Sequence, residues 1–307
     1  MTDHVAPPPM LPAPDRGLAF LARHPRGLML ATVFVGAAIG WAWLAAMIAA
    51  MLAATDMAAL GPGMELFNYF NGLTEIPESV RAGLAVLCAP APGAAWSLGD
   101  VASVFAMWVT MVLAMMLPTA APMLAAYAGR AEAAIAAGER PVSVLVPAAG
   151  YLTVWLGFAI VATGAQAGLT ALRAFNAAMG PMTLVLGATT LLAAGVYQFT
   201  PLKQACLTRC RLPASFFAVR WSSETAQVYR LGLEQGLNCL GCCWALMAVM
   251  FAVGVMNVVW IAVLGLVMGL EKATLNPWVS RLIGVALIAW GLGLIAASPV
   301  GARLLHL

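Results

Sequence analysis

The sequence predicts an all-α protein, a polytopic bundle of six or seven transmembrane helices, and three observations lead there. Hydrophobic residues make up 63% of the 307 residues and charged residues only 9%, whereas about a quarter of a soluble domain is charged. The few charges fall in short segments between apolar runs, each long enough to cross roughly 30 Å of hydrocarbon. Alanine and 29 glycines suit helices that must approach closely without a hydrophobic force to drive them together. A water-soluble globular chain is excluded. So is nucleic-acid binding, because the net charge of +3 is small and the basic residues follow membrane orientation rather than forming a patch for a polyanion.

The elements follow in order. Residues 1–27 hold six prolines, two histidines and three arginines, a polar lead expected to be a mobile cytoplasmic tail; residues 28–307 are expected to form the bundle. Leu28–Ala54 is far longer than the core of a signal peptide and reads as the first span. Residues 55–100 carry Asp56, Glu65, Glu75, Glu78 and Asp100 against a single basic residue, Arg81, and are broken by Gly61, Pro62, Pro77, Pro90 and Pro92, so they read as a periplasmic loop. Val101–Ala128, Val142–Leu172 and Met182–Thr200 supply the next three spans. Residues 201–238 form the one polar interlude, a cytoplasmic loop with Lys203, Arg209, Arg211, Arg220 and Arg230 and an interfacial helix around Phe216, Phe217 and Trp221. The run Cys239–Leu270 has 32 residues, about 48 Å of helix, too long for one comfortable span. It is either steeply tilted or broken near Gly254–Asn257, which leaves six or seven spans open. The last span is Leu282–Ala297.

Orientation follows from the basic residues. A cytoplasmic N-terminus places Arg16, Arg23, Arg26, Arg130, Arg140 and the five basic residues of 201–238 inside, leaving only Arg81 and Arg173 outside among the first four loops. The expected location is the bacterial inner membrane. The side of the C-terminus depends on how the fifth run is built.

Five of the six cysteines gather around the cytoplasmic loop: Cys206-x3-Cys210, then Cys239-x2-Cys242-Cys243, with Cys88 apart. The first pair follows the fourth span and the second group begins the fifth, so topology delivers both to one membrane face. On helices, Cys206 and Cys210 share a face, as do Cys239, Cys242 and Cys243. Four or five thiols are therefore expected within metal-binding reach. A reducing compartment disfavours a structural disulfide, and Lys203, Arg209 and Arg211 are expected beside the thiols, where they would favour thiolates. Metal binding, a redox dithiol and plain apolar packing of cysteine all remain open readings.

Methionines argue for the metal. On a helix starting at Cys239, Cys243, Met247 and Met250 line one seam, while Met107, Met111 and Met115 repeat every four residues in the second span and Met47 and Met51 repeat that spacing in the first. Thioethers bind copper(I) well and zinc poorly, whereas thiolates bind both. Copper(I) is preferred on these grounds; a closed four-cysteine site would instead suit structural zinc. Met is also an ordinary gap-filling residue, and eighteen of them will place some at helical spacing by chance. Glu271 and Lys272 read as an ion pair at the interface, and His4, His24 and His306 as solvated terminal residues.

No phosphate-binding glycine loop, HExxH or Ser-His-Asp arrangement occurs in a suitable context, and the halves show no matching broken helices. ATP-driven transport by this chain, and enzymatic activity more generally, are not indicated. Four motifs carry a resemblance: Trp108-x2-Met111-x3-Met115-Met116-x-Pro118-x3-Pro122; Gln198-x4-Lys203-x2-Cys206-Leu207-x2-Cys210-Arg211-x-Pro213; Gly236-x2-Cys239-x-Gly241-Cys242-Cys243-Trp244; and Gly254-Val255-Met256-Asn257 with Glu271-Lys272. Over residues 100–295 the chain resembles the uncharacterised bacterial family of predicted metal-binding integral membrane proteins. The resemblance implies a multispanning metal-binding protein whose cysteines match the expected site.

The leading expectation is thus a protein of copper(I) transport or delivery. It holds the ion through Cys206, Cys210, Cys239, Cys242 and Cys243, uses Met111, Met115, Met247 and Met250 as weak stepping sites, and serves a membrane metalloenzyme or metallochaperone. The alternatives are a transmembrane thiol redox relay through Cys206/Cys210 and Cys239/Cys242, and a structural zinc-binding subunit of a metalloenzyme assembly.

Overall fold

Five helices of the computed structural model are long and apolar enough to cross a membrane: Pro25–Leu52, Leu98–Thr119, Leu145–Ala171, Thr225–Val253 and Trp278–Ala296. A sixth arises if Leu184–Tyr197 and Pro201–Arg211, bent by 65° at their junction, count as one span. The structure describes residues 24–52, 56–70, 96–173 and 184–298, and among these there is no strand. Most of the N-terminal tail, His4, Cys88 and His306 lie outside the described residues.

We label the helices α1 (Pro25–Leu52), α2 (Leu98–Met111), α3 (Ala121–Ala136), α4 (Leu145–Ala171), α5 (Leu184–Tyr197), α6 (Pro201–Arg211), α7 (Pro213–Val219), α8 (Thr225–Ala248), α9 (Val258–Ala273) and α10 (Trp278–Ala296). The second expected span, Val101–Ala128, is divided. Helix α2 starts from a capping box in which Ser97 and Asp100 satisfy each other's backbone N–H groups. It runs on through a π-helical turn, Val112–Met116, and a short segment, Leu117–Thr119. Pro118 and Pro122 explain the irregularity, since neither has an N–H to give to the preceding turn. A π turn within a helix often marks a functional position, and this one lies beside the thiols described below.

Helices α4 and α8 approach closely because glycine faces backbone on both sides. A Cβ on Gly150 would meet the Tyr229 carbonyl, and one on Gly232 would meet the Pro147 carbonyl. A Cβ on Gly236 would lie 3.0 Å from the Tyr151 carbonyl. Small residues at such a crossing let two backbones come together, and here the crossing brings Tyr151 of α4 against Cys239 of α8.

The polar interlude differs from the expected loop. Residues 201–238 are largely helical: α6 starts at Thr200, whose hydroxyl caps Lys203 N–H, with Pro201 in the first turn. Helix α8 begins at Thr225, so Cys239 lies in mid-helix rather than at a helix start. The reason is a buried face at Val228, Leu231, Gly232, Gln235, Gly236 and Cys239, spaced by three and four, which holds a polar segment helical against the bundle. In place of the expected interfacial helix around Phe216, Phe217 and Trp221, the structure has the short helix α7, which ends before Trp221; Phe217 is buried against Tyr127, which also stacks on Trp221.

The long fifth run breaks; it does not tilt as one rod. Its last turn, Met250–Val253, ends at Gly254, whose φ of +103° favours glycine. Asn257 then caps α9 by accepting from Trp260 N–H at 3.2 Å, while its amide donates to the Pro62 carbonyl at 3.0 Å. Helix α9 returns toward the cysteines and carries Lys272 to Cys239. Met57, Leu60 and Met64, on two 3-10 turns within residues 56–70, are fully buried, so this part of the expected 55–100 loop packs on the bundle near the break.

Candidate metal centre

The cysteines come from two helices. Helix α8 presents Cys239, Cys242 and Cys243 at spacings of three and four, all buried, and α6 presents Cys206 and Cys210, both half-buried. Cys242 Sγ is 3.2 Å from Cys243 Sγ and 3.9 Å from Cys210 Sγ. Cys242 Sγ also donates to the Cys239 carbonyl at 3.1 Å. Cys206 packs over Gly241, where a Cβ would come within 2.6 Å of its sulfur. The structure thus brings Cys210, Cys239, Cys242 and Cys243 together and holds Cys206 one helical turn along α6.

Distances show how far this arrangement is from a coordination shell. With a metal–thiolate bond of about 2.3 Å, sulfurs at the corners of a trigonal or tetrahedral site stand roughly 3.8–4.0 Å apart. The Cys210–Cys242 separation of 3.9 Å meets that span, whereas the 3.2 Å between Cys242 and Cys243 must widen if both are to bind. Among the described residues no group of three or more His, Cys, Asp or Glu side chains has the arrangement of a formed metal site.

A cation reaches the thiols from an unexpected place. Lys272 Nζ donates to Cys239 Sγ at 3.1 Å and to Thr119 Oγ1 at 2.7 Å. The expected interfacial pair Glu271–Lys272 is therefore corrected: both residues are buried, and Glu271 binds Lys203 of α6 through both carboxylate oxygens at 2.8 and 3.0 Å. Adjacent positions on a helix point in different directions, so Glu271 faces α6 while Lys272 faces α8. Arg211 Nε donates to the Glu271 carbonyl at 2.9 Å, and Arg209 lies 3.5 Å from Asn238 Oδ1. The basic residues of the loop thus engage α8 and α9 polar groups, and Lys272 supplies the charge at the cluster. Sequence reasoning had a signal for this, a lysine closing an apolar run, but none for which way it turns.

Tyr151 completes the surroundings. Its hydroxyl donates to the Met116 carbonyl at 3.0 Å and lies 2.9 Å from Cys239 Sγ. Having one proton to give, Tyr151 can donate to Met116 while it accepts from a Cys239 thiol, or donate to a Cys239 thiolate. A small cavity of about 20 Å³ adjoins these groups, lined in part by Thr119, Met123, Tyr151, Cys210, Gln235 and Lys272, enough for one water or one ion. Gln235 Nε2 is buried there and has no hydrogen-bond partner among the described residues.

The four methionines singled out from the sequence, Met111, Met115, Met247 and Met250, are all buried in the bundle core. Met115 lies against Gly265 of α9. None of them lines the thiol cavity, where Met123 takes that place.

Among the described residues the protein is all-helical, with helices long and apolar enough to cross a membrane and a cluster of thiols against a buried lysine. Residues 105–294 match the family described as PpoB2, copper chaperone, and the chain belongs to that family. The match spans more than half of the chain and includes all five clustered cysteines. No curated protein and no solved structure matches the chain.

Proposed function

We propose that the protein carries copper(I) at the membrane and hands it to a metalloenzyme or metallochaperone partner. Cys206, Cys210, Cys239, Cys242 and Cys243 form the thiol end of its path, and Met111, Met115, Met247 and Met250 provide weaker thioether positions along it. The observation that carries this reading is the convergence of buried α8 thiols with Cys210 of α6, beside the ammonium of Lys272. Two thiolates binding copper(I) leave one net negative charge, and a buried charge persists only when it is paired. Lys272 supplies that pairing. Thiolates and thioethers are soft donors that favour copper(I). The positive-inside count puts the N-terminus and the thiol end on the cytoplasmic side of the inner membrane.

Copper bound per purified chain, with and without Cys239→Ser and Cys242→Ser, tests the reading. Loss of the thiol-bound ion is expected, and unchanged stoichiometry would end the proposal. Zinc retained in place of copper would favour the structural-subunit alternative. A thiol relay finds one specific support: Cys210 and Cys242, on different helices, are 3.9 Å apart. Their oxidation would release two protons and two electrons to an acceptor, and mass-tag alkylation in whole cells would show an oxidised fraction that a metal site lacks.

A further inference from the structure

A second cluster of sulfur lies away from the thiols. Met47 and Met51 of α1, Met107 of α2 and Met256 of the α8–α9 break line one cavity of about 10 Å³. All four are buried, at 3, 9, 3 and 7% exposure. The other lining residues are Leu44, Ile48, Val255, Val258 and Ile261. No side-chain oxygen or nitrogen is among them. A water there finds no side-chain partner, and hard cations, which need oxygen ligands, find none from side chains.

The backbone gives an independent reason to look here. At residues 254–257 the chain turns back from α8 into α9, and Val253, Val255 and Asn257 at this turn are fully buried. Non-helical backbone at membrane depth is tolerated where it is buried in protein or lines a cavity, and this turn is buried while its Val255 and Met256 line the cavity. This break is also stapled: Asn257 Nδ2 and Trp260 Nε1 both donate to the Pro62 carbonyl, at 3.0 and 3.2 Å. The staple holds the segment that delivers Met256 to the cavity.

We propose that Met47, Met51, Met107 and Met256 form a second site for a soft monovalent cation, copper(I) in the cell, held by thioether sulfur alone. It rests on these residues and extends the copper reading by giving the path a second terminus. Along α2, Met107, Met111 and Met115 succeed one another at each turn and lead to Thr119 beside Lys272. Twelve residues at 1.5 Å each separate Met107 from Thr119 by about 18 Å. Thioethers lose no proton on binding, so this site's occupancy does not vary with pH, whereas thiol sites release protons when they bind.

The test uses the full chain in detergent or nanodiscs with silver(I) or copper(I) as the probe and metal per chain as the readout. With all six cysteines replaced by serine, one ion per chain is expected to remain, equally at pH 5.5 and 7.5. Adding Met107→Leu and Met256→Leu should remove it. Absence of the ion in the serine variant, or its survival of both leucine replacements, would overturn the proposal. Should the serine variant fail to fold, Met107→Leu/Met256→Leu in the wild-type chain serves: total binding should fall by one equivalent, and an unchanged total refutes the site. Failure of the thiol reading looks different, since the Cys239→Ser/Cys242→Ser variant would then bind as much copper as the wild type.

Discussion

Replacing Lys272 by methionine separates a counterion from a merely structural lysine. Its Nζ is 3.1 Å from Cys239 Sγ, and unit charges at that distance attract by about 5 kcal/mol at an effective dielectric of ~20. Part of this offsets the cost of keeping an ammonium out of water, which leaves a net loss of about 2–3 kcal/mol on removal, or roughly 30- to 150-fold in copper(I) affinity. The metal-free chain should behave oppositely. There the variant removes a buried ammonium whose described partners, Thr119 and Cys239, include no carboxylate, and the methionine fills most of the same volume. Thermal stability without copper should therefore stay level or rise while affinity falls. Competition against a copper(I) chelator gives the affinity, and a thermal shift in detergent gives the stability. Affinity within threefold of wild type, or a metal-free chain destabilised in step with its affinity, would refute the counterion role.

Three further outcomes follow from the packing. Glu271→Gln leaves the fully buried Lys203 ammonium without its carboxylate, and about 3–5 kcal/mol of stability should go with it; the double variant Lys203→Met/Glu271→Leu should lose far less, which a double-mutant cycle of unfolding energies would measure. Gly232→Ala drives a Cβ into the Pro147 carbonyl, so a loss of about 1–3 kcal/mol is expected, with weaker copper binding as Tyr151 moves from Cys239. The Asp56 carboxylate is held below the ordinary range, first by the Asn68 amide and then by Ala58 N–H. A depressed folded value means that its contribution is present at neutral pH and is lost as pH falls below about 4 through the folded value. The protection of Ala58 N–H from hydrogen exchange, taken against the intrinsic rate at each pH, should therefore fall at acid pH in the wild type and show no such step in Asp56→Ala.

Helix positions were legible where hydropathy alone decides them. Leu28–Ala54 and Val142–Leu172 coincide with α1 and α4 to within a few residues, because lipid-facing and core-facing positions are both apolar. Hydropathy failed for residues 225–238. That segment is polar on average, and only its three-four spacing of Val228, Leu231, Gly232, Gln235 and Gly236 reveals a helix with one buried side. The break at 254–257 was legible from length, since 32 residues exceed a bilayer, while its staple to Pro62, 195 residues distant in sequence, was not. The meeting of α6 and α8 cysteines follows from topology and helical spacing. The roles of Lys272 and Tyr151 depend on helix rotation, which no pattern in the sequence specifies.

The proposed delivery role requires the ion to be released as well as held, and the two cysteine-bearing helices differ in a way that bears on release. The α8 thiols are buried, at 1–2% exposure, whereas Cys206 and Cys210 on α6 are half-buried. On the proposed function, an incoming partner thiolate would meet α6 first, and ligand exchange through a shared three-sulfur state would begin at Cys210, whose sulfur is 3.9 Å from Cys242. Helix α6 cannot swing freely to assist, because Lys203 anchors it to Glu271 of α9. On the copper reading, removing the half-buried ligand should slow transfer more than it weakens binding, and removing a buried one should do the reverse. Cys210→Ser is expected to cut the rate of transfer to an acceptor by about tenfold or more, equivalent to some 1.4 kcal/mol on the barrier, with affinity changed less. Cys242→Ser should lower affinity further than Cys210→Ser. Stopped-flow transfer to a coloured copper(I) chelator, run beside equilibrium competition, distinguishes the two; equal effects of both substitutions on both quantities would show that exchange does not start at α6.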